Sequence, residues 1–162
     1  MNAPPFQVAV LACACAVPGQ CVNVRCFSGA KLGTIIKKCL DLDVRSDILI
    51  LHAGVNDASR GGGASFANDF ALGALKACFS GAKVAVSTVC LTRSGEINLR
   101  VAAANERLRG LARSGSFALI LNDNIRVTDL TDTVHLNAAG TARLFNNILL
   151  SWVLERISSV TF

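Results

Sequence analysis

Two kinds of apolar pattern alternate along the chain. Five segments have the continuous or alternating apolar content of a strand: 6–12, 21–27, 47–53, 83–89 and 117–121. Four further segments repeat apolar residues every three or four positions, as helices do: 30–40, 66–79, 96–113 and 137–157. The predicted buried stripe of the first is Leu32, Ile35, Ile36 and Leu40, and that of the last is Leu144, Phe145, Ile148, Leu149, Trp152 and Val153. Because strand-like and helix-like segments alternate, the pattern predicts an α/β fold whose strands run parallel.

The predicted strands are nearly continuous in apolar residues, which is typical of a sheet buried on both faces. We therefore predict a three-layer α/β/α sandwich around a five-stranded parallel sheet. The pattern shows no internal repeat and no linker, so residues 1–162 are predicted to form a single domain. Ligands of such sheets bind beyond the carboxyl ends of the strands, which directs attention to the residues that follow each strand.

The composition fits a folded domain, because hydrophobic residues make up 52% of the chain and charged residues 17%. No apolar run reaches the roughly 18 residues that cross a bilayer, so no membrane span is expected. The net charge of +5 is spread along the chain rather than clustered. It predicts at most weak contact with nucleic acid, without base-specific recognition.

The seven cysteines are an odd number for a set of disulfides. They form no Cys-x-x-Cys pair and have no histidine at zinc-finger spacing, so we predict neither a metal site nor a cofactor. Residues 8–17 are apolar enough for a secretory signal, but residues 1–7 contain no Lys or Arg. We therefore expect an intracellular protein in a reducing compartment, whose cysteines mainly fill apolar space.

The strongest candidate for chemistry stands before the last helix, where Asp132 and His135 are three residues apart. A carboxylate at that spacing can bond one imidazole nitrogen and fix the tautomer, which leaves the other nitrogen to act as a base. The alternative is an acidic residue that favours the helix dipole, beside an incidental surface histidine.

Two further positions are candidates for donating hydrogen bonds to a substrate. Asn56 follows the third strand and could direct its amide at a developing oxyanion, although Asn-Asp is also common in turns. Gly29 follows the second strand and could bring a backbone N–H close to a substrate, or simply form a turn. We expect His52 to be a packed strand-end residue and Asp57 to brace its own loop.

In their order along the chain, these residues resemble the motifs of the SGNH, or GDSL-type, hydrolases. The matching positions are Gly29, Gly54-Val55-Asn56-Asp57 and Asp132-Thr133-Val134-His135. Residues 51–57 and 134–141 are most similar to the esterase-type domains encoded by animal non-LTR retrotransposons. The resemblance covers nearly the whole chain and implies a flavodoxin-like strand order, 2-1-3-4-5, and hydrolysis of carboxylic esters. It also implies roles: His135 as base, Asp132 as its partner, and Gly29 and Asn56 as oxyanion donors.

The chain departs from the family at the first motif. The family has Gly-Asp-Ser after the first strand, with the serine as nucleophile, whereas this chain has Ala12-Cys13-Ala14. The nucleophile position therefore holds Ala14, and a shift of one residue would place Cys13 or Cys15 there. Alanine has no lone pair with which to attack a carbonyl, whereas a cysteine thiolate could do so.

Three hypotheses follow from these residues. The first is a hydrolase of a small ester or acylated substrate that uses Cys13, Cys15 or a water held by His135. The second is a catalytically inactive esterase-fold binding module of a retroelement-derived protein. The third, a flavodoxin-like nucleotide binder, is the least favoured, because Ala-Cys-Ala-Cys stands where a glycine-rich phosphate loop would be needed.

Overall fold

The structure, a computed structural model, describes residues 10–13, 23–25, 29–41, 48–61, 70–74, 81–115 and 117–158. Its strands are β1 (Val10–Cys13), β2 (Asn23–Arg25), β3 (Ile48–His52), β4 (Lys83–Ser87) and β5 (Ala118–Ile120). Its helices are α1 (Leu32–Asp41), α2 (Val55–Ser59), α3 (70–74), α4 (Gly95–Arg113) and α5 (Ala138–Ser158). A short 3-10 helix, Val127–Asp129, precedes α5.

The strands form one sheet of order β2-β1-β3-β4-β5. β3, β4 and β5 pair in parallel, which confirms the predicted α/β fold with a parallel sheet. β1 departs from the prediction of five parallel strands, because it pairs antiparallel with both β2 and β3. Only nine residues, 14–22, connect β1 to β2. That is fewer than the roughly twelve that a parallel crossover needs, so the short connection favours the antiparallel pairing.

Side chains of β3 and β4 alternate between two apolar cores, one on each face of the sheet. Leu51 and Val86 face a larger core that contains residues of α1, α2, α3 and α4. Ile50 and Ala85 face a smaller core against α5. Helices therefore cover both faces, as near-continuous apolar strands require.

Two helices bury a narrower stripe than the apolar pattern predicts. In α1, Leu32 is fully buried as expected, whereas Leu40 is 45% exposed. In α5, Leu144 lies in the core, whereas the predicted inward residues Phe145 and Leu149 are exposed. The smaller core accepts only one side of α5, because few strand side chains face it. The side chains of Trp152 and Val153, also predicted inward, lie outside the described residues.

Two composition-based expectations concern membranes and cysteines. Across the described ranges, no helix combines the length and apolar character that crossing a bilayer requires. Cys39 and Cys90, the cysteines whose side chains are described, are both free thiols. Cys90 is buried in the smaller core, where it fills apolar space as expected.

Candidate active site

Asp132 and His135 lie together in the loop before α5. The His135 ring Nδ1 lies 2.5 Å from Asp132 Oδ2. The other carboxylate oxygen, Oδ1, accepts the backbone N–H groups of Val134 and His135, each at 2.9 Å. Slight desolvation raises the pKa of the Asp132 carboxyl, but the hydrogen bonds from Val134 and from the His135 ring and backbone outweigh it and hold the pKa at about 2. Asp132 is therefore an anion that accepts from the imidazole Nδ1–H.

The second ring nitrogen of His135 has a distinctive environment. Nε2 is buried, and no group among the described residues hydrogen bonds to it. Since Nδ1–H donates to Asp132, the neutral ring carries its lone pair on Nε2. A buried acceptor without a partner is costly unless a ligand or water satisfies it. The geometry is that of a general base whose proton donor is a bound molecule.

The loop that carries this pair is anchored to the start of α5. Leu130 and Leu136 form an isolated β-bridge, and Thr131 N–H donates to the His135 carbonyl at 2.7 Å. Asn137 caps α5 by accepting the Gly140 N–H at 3.0 Å. A Cβ at position 140 would overlap the Asp129 carbonyl oxygen, so only glycine lets α5 approach this closely.

Gly29 and Asn56 are brought together at the same edge of the sheet. Gly54, with φ of 118°, turns the chain from β3 into α2 and places Asn56 in its first turn. Asn56 Nδ2 donates to the carbonyl of Ala30 at 3.1 Å, next to Gly29. Gly29 has φ of 65°, a backbone conformation that favours glycine. The two proposed oxyanion donors are therefore neighbours.

Asp57 has a different partner from the one that its position suggested. Its carboxylate accepts the backbone N–H of Leu32 at 3.0 Å and so holds the first turn of α1. It therefore braces the start of α1, 25 residues earlier in the chain, whereas its own loop was the expected partner. This bond fixes α1, and the Gly29 turn before it, against the end of β3.

His52, the other histidine, is a packed strand-end residue as expected. Its Nδ1 lies 3.0 Å from the hydroxyl of Ser87 on the adjacent strand β4. Ser87 Oγ also accepts from Asn122 Nδ2 at 2.6 Å, and Asn147 on α5 donates to the Asn122 side-chain oxygen at 3.0 Å. Desolvation by burial lowers the pKa of His52 to about 4, so the ring is neutral near pH 7.

The expected nucleophile positions come at and directly after the last residue of β1. Ala14 and Cys15 lie outside the described residues, and Cys13 is described only through its backbone. Cys13 ends β1, and the register pairs Val10 with His52 and Ala12 with Ile50. The carboxyl end of β1 therefore lies toward the amino end of β3, away from the end of β3 that leads into α2 and Asn56. Burial raises the pKa of Cys39 to about 11 and that of Cys90 to about 12, so neither is a ready thiolate.

Arg93 is a residue of the site that the sequence analysis missed. It follows β4, and its backbone N–H and guanidinium Nη2 donate to the carbonyls of Thr133 and Leu130. Further along, Arg100 Nε donates to the Ala58 carbonyl at 2.6 Å and ties α4 to the helix that carries Asn56. The candidate residues were chosen because they follow one of the first three predicted strands. The same criterion, applied to the fourth predicted strand, would have included Arg93.

Metal ligation was not expected, and the described side chains contain no cluster of three or more His, Cys, Asp or Glu that could hold an ion. The polar groups of the site are instead suited to proton transfer and hydrogen bonding. An imidazole with a carboxylate partner can take up a proton, and N–H donors such as those of Gly29 and Asn56 can polarise a carbonyl group.

No family model matches the chain, and no curated protein matches its sequence. Solved structures match its fold. A GDSL-like lipase from Bacteroides thetaiotaomicron superposes with a TM-score of 0.68 at 16% identity, over 82% of this chain and 75% of the lipase. A member of the lipolytic G-D-S-L family from Veillonella parvula gives a TM-score of 0.62 at 18% identity, over 75% and 74% of the two chains. A carbohydrate acetylesterase from Sinorhizobium meliloti gives 0.58 at 16% identity, over 91% and 74%. The chain therefore has the fold of GDSL-type lipases and esterases.

Proposed function

We propose that residues 1–162 form an SGNH-type, esterase-like domain that binds a small carboxylic ester and hydrolyses it slowly. His135 is the base, Asp132 holds its tautomer, and Gly29 and Asn56 donate to the oxyanion. Water on His135 Nε2 replaces the missing serine. The fold shared with lipases and esterases supports the class of reaction, and the residues of this chain support the roles.

The observation that carries this proposal is the state of His135 Nε2. This nitrogen is buried and carries a lone pair that has no partner among the described residues. The other ring nitrogen, Nδ1, is bonded to the anionic carboxylate of Asp132. A structural histidine satisfies both nitrogens with protein groups, because a buried acceptor without a bond costs about 1–3 kcal/mol. Such a nitrogen is suited to a water molecule that attacks a bound ester.

In the proposed reaction, the water oxygen bonds to the ester carbonyl carbon while His135 Nε2 takes one of the water protons. Negative charge develops on the carbonyl oxygen, where the Gly29 N–H and an Asn56 Nδ2–H donate to it. The tetrahedral intermediate then collapses and the bond to the leaving alcohol oxygen breaks. That oxygen takes the proton back from His135, and the products are a carboxylic acid and an alcohol.

The two histidines provide a matched test of this proposal. We expect the native chain to hydrolyse p-nitrophenyl acetate above the buffer rate, and His135→Gln to lower that rate by roughly 100-fold or more. His52→Gln should leave the rate per folded molecule within a few-fold, since His52 has no proposed contact with substrate. Equal losses in both variants would show that folding, and not base catalysis, is being measured.

Two further measurements identify the nucleophile. Mass spectrometry of the chain during turnover should show no acetyl adduct if water attacks, whereas an adduct on Cys13 or Cys15 would identify a cysteine enzyme. For Ala14→Ser, the family resemblance and the direction of β1 predict opposite results. The family resemblance predicts a faster rate that depends on His135, whereas the antiparallel course of β1 predicts no gain. The variant therefore decides whether position 14 reaches the site.

The second candidate is an inactive esterase-fold binding module of a retroelement-derived protein. The observation that favours it is the alanine at the serine position, together with the net charge of +5. It predicts no His135-dependent turnover in any of these variants. It also predicts weak binding to nucleic acid that falls steeply with salt, because phosphate contacts release counterions.

A further inference from the structure

The segment that carries Asp132 and His135 has no regular secondary structure between the bridge residues Leu130 and Leu136. An irregular segment on a surface would ordinarily sample several conformations. In the Asp132–His135 pair, however, Asp132 Oδ1 accepts two backbone N–H groups while Oδ2 bonds the His135 ring. These three bonds form together only in one arrangement of the backbone. The Leu130–Leu136 bridge and the Thr131–His135 bond close the segment on itself, and bonds from outside it restrict its backbone further.

Arg93 supplies two bonds to this segment from another part of the chain. Its backbone N–H donates to the Thr133 carbonyl at 2.9 Å, and its guanidinium Nη2 donates to the Leu130 carbonyl at 2.7 Å. Leu130 is 2% exposed, so little water can replace the guanidinium at its carbonyl. The two carbonyls flank Asp132 in the sequence, and bonding both fixes the peptide groups on either side of the carboxylate.

Arg93 is itself held in a rigid turn after the parallel strand β4. The preceding residue, Thr92, is fully buried, and its backbone N–H donates to Asn98 Oδ1 at 2.7 Å. Asn98 Nδ2 donates back to the Thr92 carbonyl at 2.8 Å. These reciprocal bonds join the segment after β4 to the first turn of α4, and so fix the residue before Arg93 against that helix.

We infer that Arg93 is a positioning residue, which sets the catalytic loop against the sheet so that Asp132 meets the His135 ring. The inference rests on the proposed role of His135 as the base. Arg93 acts through the backbone of the loop, and no contact with substrate or reacting atoms is assigned to it. An arginine suits this role because its long planar donor can reach a backbone carbonyl while the rest of the guanidinium stays hydrated.

The test measures the Asp132–His135 pair itself and needs no turnover. In Arg93→Met the side chain keeps about the same length and loses the guanidinium that donates to Leu130, while the backbone N–H that donates to Thr133 remains. The pKa of Asp132, followed by carboxylate NMR, should then rise from about 2 toward the ordinary value of 3.8, because the N–H groups of Val134 and His135 no longer converge on it. Exchange of the His135 Nδ1 proton with water should become roughly five- to tenfold faster, as expected for a weakened hydrogen bond.

Three comparisons separate positioning from charge and from stability. Arg93→Lys, which keeps a cation and an N–H donor, should recover part of both signals. Arg109→Met removes a half-buried arginine of α4 whose guanidinium bonds Asp123, and it should change neither signal. The Arg93→Met effect should also persist at about 1 M salt, where the charge of an exposed group is screened.

An unchanged Asp132 pKa and Nδ1 exchange rate in Arg93→Met would overturn the inference. So would an effect that disappears at high salt, because Arg93 would then act through its charge alone. Both readouts remain valid in a chain that hydrolyses no ester. Absence of turnover would therefore count against the proposed function, while the NMR result decides the role of Arg93.

Discussion

The two histidines of the chain have different surroundings. His52 ends β3 and bonds the hydroxyl of Ser87, itself part of a chain of buried side-chain hydrogen bonds that reaches α5. His135 stands in a loop, bonds the carboxylate of Asp132, and has an unpartnered Nε2 among the described residues. One histidine is paired with a neutral hydroxyl and the other with an anion.

A histidine that acts as a base differs from a structural one in the hydrogen-bond partner of one ring nitrogen and in the lack of a partner on the other. The residue type is the same in both cases. A hydroxyl partner gives little stabilisation to an imidazolium, and burial lowers the pKa of His52 to about 4. A carboxylate partner stabilises an imidazolium that forms during proton transfer. His52 should therefore matter for folding and His135 for chemistry, and each partner residue offers a way to test that division.

The largest expected effect on stability comes from removing the partner of His52. Ser87→Ala takes the hydroxyl away from both His52 and Asn122; His52 Nδ1 loses its partner, whereas Asn122 Nδ2 keeps its bond to the Thr88 carbonyl. We expect the free energy of unfolding, measured by urea denaturation, to fall by about 2 kcal/mol. Ser114→Ala, at an exposed helix end, should change it by less than about 0.5 kcal/mol. Equal losses in the two variants would mean that the buried network contributes nothing.

A second effect of His52 should appear in the pH dependence of stability. The pKa of His52 is lower in the folded chain, about 4, than its ordinary value of 6.5. Between these values the unfolded chain binds the proton and the folded chain does not, so stability falls as pH drops from about 6.5 to about 4. His52→Gln should flatten the unfolding free energy across this window, whereas His135→Gln should preserve the slope there. A slope that survives in His52→Gln would assign it to another group.

The smallest expected effect on stability comes from removing the partner of His135. Asp132 is exposed, so Asp132→Asn should change the free energy of unfolding by less than about 1 kcal/mol. Its lowered pKa contributes stability that is present above about pH 4 and is lost as pH falls toward 2, so only that acidic window should respond. The same variant should lower His135-dependent ester hydrolysis, because the ring loses the anion that fixes its tautomer. A loss of stability comparable with that of Ser87→Ala would remove the distinction between the two histidines.

The sequence predicted the parallel sheet and the Asp132–His135 contact because each depends on a local pattern. Apolar runs define β3 and β4, and a spacing of three residues before a helix brings a carboxylate to an imidazole. The sequence also contains the glycine at position 140, but its role depends on the Asp129 carbonyl that it must avoid, which only the folded chain reveals.

Other features could not be predicted, because they depend on contacts between distant segments. The bonds from Arg93 to Leu130 and Thr133 join residues almost 40 positions apart, and no periodicity signals them. The direction of β1 depends on the short connection to β2 and on pairing with β2 and β3. The four apolar residues of β1 by themselves specify register and direction only weakly. Phe145 and Leu149 were predicted inward from spacing alone, whereas the width of the buried stripe on α5 depends on the opposing sheet.

We propose that the Gly29–Asn56 donors and the Asp132–His135 pair contact the same bound substrate. The most direct test is a crystal structure of the native chain with a phosphonate that mimics the tetrahedral intermediate of ester hydrolysis. We expect one phosphonate oxygen to accept from the Gly29 N–H and from Asn56 Nδ2, and a second oxygen, or a water beside it, to lie within hydrogen-bond distance of His135 Nε2. A phosphonate bound to the two donors but out of reach of His135, or bound elsewhere on the chain, would contradict the claim.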